Sequence, residues 1–103
     1  MADRSLKMVE GEALSAQQKK DLLNRLARIE GQVRGIQKLI ALAARPSDCE
    51  AVAQQMAAAR KALDRAFVQL LTGSIVNQSA NAQDLAQAQA SARQLAAMLD
   101  KFA

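Results

Sequence analysis

The chain has no histidine, tryptophan or tyrosine, and holds two phenylalanines, one proline and one cysteine in its 103 residues. The missing histidine removes the imidazole, the commonest metal ligand and the usual proton carrier near neutral pH. A lone cysteine, Cys49, rules out an internal disulfide framework. No combination of nucleophile, base and orienting group appears, so no enzyme is expected. With few aromatics, one proline and an abundance of Ala, Gln and Leu, the composition favours helix and disfavours sheet. No long apolar run is present either. The longest uncharged stretch, residues 66–83, is broken by Gln69, Thr72, Ser74, Asn77 and Gln78, so it does not read as a membrane span. No charged-then-apolar leader pattern opens the chain. A soluble cytoplasmic protein without a membrane partner is the expectation.

Hydrophobic residues make up 50% of the chain, but 23 residues are alanine, so large apolar side chains are scarcer than that figure suggests. The length fits one domain. Residues 1–14 lack periodicity and are expected to be a flexible N-terminal arm, with residues 15–103 forming a single helical domain. Ser15 followed by Gln18 reads as a capping box at the start of a first helix. Its apolar stripe is Leu22, Leu26, Ile29, Val33, Ile36 and Ile40, a heptad seam. Pro46 and Ser47 separate it from a second helix, with Ser47 and Glu50 as its expected capping box and an end near Gln78. The stripe there is Val52, Met56, Ala59, Leu63, Ala66 or Phe67, and Leu70. Asn81 with Asp84 is expected to cap a third helix with Leu85, Ala88, Ala92, Leu95, Leu99 and Phe102 inward. At 1.5 Å per residue the first two helices would be about 39 and 46 Å long, against a radius of gyration of about 13 Å for a compact domain of this size. Long rods joined this way leave apolar stripe uncovered, and self-association into a helical bundle is the simplest remedy. The competing reading is a monomeric three-helix bundle.

Charge is concentrated at one place. Residues 15–45 hold seven basic residues (Lys19, Lys20, Arg25, Arg28, Arg34, Lys38 and Arg45) against Asp21 and Glu30, a net of +5 in a chain of net +4. Such a patch suggests a polyanionic partner, although most basic helix faces are simply solvated. Lys61 and Arg65, one turn apart on the second helix and opposite its stripe, extend the basic surface. Gly31 and Gly35 fall on the first helix away from its seam, among Lys20, Lys38 and Arg28. Each costs about 1 kcal/mol relative to alanine in a helix. Two reasons for tolerating them compete: close approach of a phosphate backbone, and tight packing of another helix.

The stretch NRLARIEGQVRGIQKLI, a cysteine at the start of the following helix, and then AVAQQMAAARKALDRAFVQLL resemble the CsoR/RcnR/FrmR family of bacterial transcriptional repressors. The resemblance covers roughly residues 18–78. It implies an all-α fold: a three-helix protomer, an antiparallel four-helix-bundle dimer, and a homotetramer built as a dimer of dimers. It implies operator DNA as the partner, released when a ligand binds. By motif position Arg25 and Arg65 match the family's DNA-contacting arginines. Lys19, Lys20, Arg28, Arg34 and Lys61 are added by charge.

Family members that sense copper(I), nickel or cobalt do so through Cys and His ligands, and there this chain departs. Cys49 matches the first ligand position, but the other two are Ser74 and Gln78. Soft metals want thiolate, thioether or imidazole, so one thiolate is a poor site for copper(I) or another metal, and no cofactor is expected. The formaldehyde-sensing branch has a proline where Ala2 stands, and the persulfide-sensing branch uses two cysteines. Cys49, Ser74 and Gln78 share one sector of the second helix, yet Cys49 and Ser74 lie about 37 Å apart along it. Antiparallel pairing of two copies would bring Cys49 of one beside Ser74 and Gln78 of the other. Three readings of Cys49 stand: a reactive thiol, a metal ligand aided by other donors, or a structural residue. The expected function is a ligand-responsive DNA-binding repressor with a non-standard inducer site. The alternative is a helical oligomerisation module that binds no DNA.

Overall fold

A computed structural model describes residues 13–102. The expected arm therefore lies almost wholly outside the described residues. All three elements are helices: α1 (Ala16–Leu42), α2 (Pro46–Asn81) and α3 (Leu85–Phe102). They contain 27, 36 and 18 residues, and no strand occurs among the described residues.

Helix starts follow from local chemistry. At α1 the expected capping box forms in both directions. The Ser15 N–H donates to Gln18 Oε1 at 2.6 Å, and the Gln18 N–H donates to Ser15 Oγ at 3.1 Å. At α2 the cap differs from the expectation. Pro46 is the first helical residue, a place that suits its fixed φ and missing N–H. The capping carboxylate is that of Asp48, whose Oδ2 accepts from the Ala44 and Arg45 N–H groups at 3.0 Å each. Ser47 lies inside the helix and not at its cap. Those two backbone hydrogen bonds hold the Asp48 carboxyl below its ordinary value of 3.8, with the Arg45 side chain adding to the effect. The third cap is also shifted. α2 continues through Asn81, and Asp84 caps α3 by accepting from the Gln87 N–H at 2.8 Å.

The described chain divides into two compact units. One is Lys20–Gln69; the other joins the segment ending at Lys19 to Leu70 and everything after it. In the first unit, most of α1 and the N-terminal part of α2 are joined by a short turn, in which the Ala43 N–H donates to the Ile40 carbonyl. The buried residues there are Ile29 and Ile36 of α1 and Ala59 and Ala66 of α2, each pair seven residues apart. That spacing is the heptad register of a helical seam. In the second unit the buried residues are Ser74 of α2 and Ser91 and Leu95 of α3. There Gln18 Nε2 donates to the Gly73 carbonyl at 3.3 Å. A Cβ at Gly73 would stand 3.2 Å from Leu14 Cδ2 and 3.4 Å from Gln18 Nε2, so the missing side chain is what allows this close passage.

The expected stripes are only partly inward. On α1, Ile29 and Ile36 are buried, but Leu26, Val33 and Ile40 are exposed. On α2, Met56, Leu63 and Leu70 are exposed, and on α3 so are Leu85, Leu99 and Phe102. Among the described residues, 15 large hydrophobic side chains are exposed and none is fully buried. A seam that is apolar across a wide arc cannot disclose from sequence which edge the chain itself covers.

Gly31 and Gly35 have nothing within 4 Å of where a Cβ would sit. Among the described residues no helix packs there, so the tight-packing reading finds no support among them. Alanine at each position should therefore stabilise the protein by about 0.5–1 kcal/mol through helix propensity. Thermal unfolding of Gly31→Ala and Gly35→Ala checks this. A lower melting temperature in both would show that a surface outside this chain packs against them.

Candidate nucleic-acid interface and sensor residues

Arg25 lies one turn before Ile29, at the edge of the buried seam. It is half-buried, unlike the exposed Lys20, Arg28, Arg34, Lys61 and Arg65. Its Nε donates a 2.6 Å hydrogen bond to Gln69 Oε1 on α2. A long cation at a helix seam runs its aliphatic stem along apolar neighbours and brings its charge out at the edge. Gln69 meets the guanidinium at that edge. Arg65 lies one turn before Gln69 on the same face of α2, so the two arginines singled out in the sequence attach to one strip of that helix. Sequence reasoning missed Gln69. The only available signal was its spacing of four from Arg65 within an otherwise apolar stretch.

The other candidates are spread more widely. Arg34 follows Arg25 by nine residues, which is half a turn around α1. It lines an open apolar depression with Leu23, Leu26, Glu30 and Val33. The structure therefore does not gather Arg34 with Arg25. Lys19 is exposed and belongs to the other unit.

The three sensor candidates differ sharply in setting. Cys49 is free and exposed in the first turn of α2. Ser74 is buried at 6% exposure. Its Oγ accepts a 3.0 Å hydrogen bond from Gln78 Nε2, one turn later. Among the described residues, Gln78 Oε1 is a buried oxygen with no hydrogen-bond partner. A buried acceptor left unpaired costs on the order of 1–3 kcal/mol, so such an atom is seldom retained without reason. What it lacks is a hydrogen-bond donor. A carbonyl oxygen and a hydroxyl already engaged with an amide make a hard, neutral pair, ill-suited to a soft cation. Among the described residues, no group of three or more His, Cys, Asp or Glu side chains is placed to hold a metal ion. These residues do not fit a soft-metal centre. In competition with a strong copper(I) chelator, the protein should take up no metal. Stoichiometric withdrawal of copper(I) from the chelator would contradict this.

No helix among the described residues is long and apolar enough to cross a membrane. No curated protein and no solved structure is similar enough to count as a match. A family model does match, over residues 18–101, and its description is metal-sensitive transcriptional repressor. The match starts at the capping glutamine of α1 and runs nearly to the end of α3. It covers the basic helix, the Arg25–Gln69 contact, and Cys49, Ser74 and Gln78. The extent of the match settles the kinship: the chain belongs to the metal-sensitive transcriptional repressor family, the group to which its helix motifs point.

Proposed function

We propose that this protein is a DNA-binding transcriptional repressor that acts as a homotetramer, a dimer of dimers, and leaves its operator when an inducer other than a soft metal binds. The observation that carries the DNA-binding half is the placement of Arg25. It is anchored to α2 by Gln69, one turn from Arg65, in the segment that holds the chain's excess positive charge. Arg25 and Arg65 contact phosphates. Lys19, Lys20, Arg28, Arg34 and Lys61 add to the positive field that draws DNA in. Binding of this kind releases counterions and weakens steeply with salt.

Assembly is supported by the 15 exposed large hydrophobic side chains, too many for a chain of this size to leave in water. The inducer half rests on Cys49 as the accessible thiol and on buried Ser74 with half-buried Gln78, whose buried Oε1 is an acceptor to spare. An inducer acts by binding the DNA-free shape of the assembly more tightly than the DNA-bound shape. A coupling of about 1–3 kcal/mol suffices for a 5- to 150-fold loss of operator affinity.

Electrophoretic mobility shift with the DNA upstream of the protein's own gene tests the reading. Wild type should bind with strong salt dependence. Arg25→Ala and Arg65→Ala should each bind more weakly and lower the salt slope by about one phosphate contact. Wild-type affinity in both variants would sink the residue assignment. No salt-dependent affinity for any duplex would favour a helical oligomerisation module instead.

A further inference from the structure

We propose that Gln69 is a positioning residue for DNA binding: it grips Arg25 through Nε and so holds the terminal Nη edge of the guanidinium toward a phosphate. This rests on the DNA-binding reading above. It adds a residue that carries no charge and to which neither motif position nor charge gave a role.

Arginine is the residue suited to forked recognition of phosphate, because its planar group presents paired N–H donors. A free arginine loses that advantage to rotamer freedom. Here the stem is held at the half-buried edge of α1, and the Nε is held at 2.6 Å by a side chain of another helix. The guanidinium is thus fixed at two points, its stem and its Nε. Fixing the Nε also fixes the plane of the group, and with it the direction of the Nη pair.

The identity of the partner matters as much as its position. Glutamine accepts from Nε through a neutral oxygen, so the charge of Arg25 remains available to DNA. A carboxylate at the same place would hold the arginine at least as firmly and cancel its charge. The site is therefore built with an acceptor that orients without neutralising. Arg65, one turn earlier on α2 and exposed, stands on the same strip as that acceptor. Gln69 thereby also sets the spacing between the two cations.

The test measures duplex affinity across a salt series by fluorescence anisotropy, on the full chain with the DNA upstream of its gene. The variants are Gln69→Met, which keeps size and loses the acceptor, and Gln69→Glu, which keeps the acceptor and adds a negative charge. Melting temperature and solution mass are recorded for each. Gln69→Met should weaken binding roughly tenfold, the scale of one hydrogen bond to a charged group. Gln69→Glu should keep or raise the melting temperature, yet bind at least as weakly as Gln69→Met and show a salt slope lower by about one. A purely structural tie between helices predicts a lower melting temperature for Gln69→Met with intact binding by the folded protein. In an Arg25→Ala background, Gln69→Met should cause no further loss, and an additive loss would overturn the positioning role. Gln69 variants that bind like wild type while Arg25→Ala binds weakly would overturn the positioning role alone. Wild-type binding by Arg25→Ala would overturn the DNA-binding assignment of that arginine and the positioning role with it.

Discussion

Everything in this protein depends on how little apolar surface one copy can hide. The residues it buries are mostly small: Ala59, Ala66, Ser74 and Ser91, alongside Ile29, Ile36 and Leu95. Its larger side chains, among them Leu23, Leu26, Val33, Ile40, Leu63, Val68 and Ile75, stay outside. Small residues at seven-residue intervals on α2 let a neighbouring helix approach closely, and Gly73 continues that series seven positions after Ala66. This packing brings backbone near backbone but contributes little transfer energy, at about 25 cal/mol per Å² of apolar surface removed from water. The bulk of the available hydrophobic stabilisation lies on faces that a single chain leaves wet. Assembly is thus the step that would convert three long helices into a stable body.

That constraint also shapes the binding chemistry. With most of the bulky residues turned outward, polar side chains help to tie the seams of one copy. Gln18 does so twice, closing the α1 cap through Oε1 and reaching the Gly73 carbonyl through Nε2. Gln69 does so once, and the group it ties is Arg25, the arginine proposed above to meet DNA. The same economy is visible at the sensor positions, where Ser74 and Gln78 bond each other and leave one buried acceptor over. In the proposed repressor, the DNA face is held by a neutral amide, and the inducer site has traded metal donors for hydrogen-bonding groups.

Much of this was legible in the residues. Helix number and order, the α1 capping box and the buried Ile29 and Ile36 follow from periodicity and capping chemistry. The caps of α2 and α3 were misplaced because cap-competent residues crowd there. Ser47 adjoins Asp48, and Asn81 lies three before Asp84; the choice falls to Pro46 as a first helical residue and to how far α2 continues. The inner and outer edges of each stripe could not be told apart, since an intrachain seam and a face awaiting another copy are both apolar. Gln69 was invisible for a different reason. A neutral polar residue in an amphipathic helix has no periodic signature, and its role appears only once the helix opposite brings Arg25 to it. The family kinship was legible from the α1 motif, since it is a matter of residue identity alone.

The most direct test of the account is the mass of the protein in solution, followed by sedimentation and by unfolding over a range of concentrations. The assembly should have four times the 11.0 kDa chain mass and a melting temperature that rises with protein concentration. A folded 11.0 kDa monomer that unfolds cooperatively at a temperature independent of concentration would contradict it.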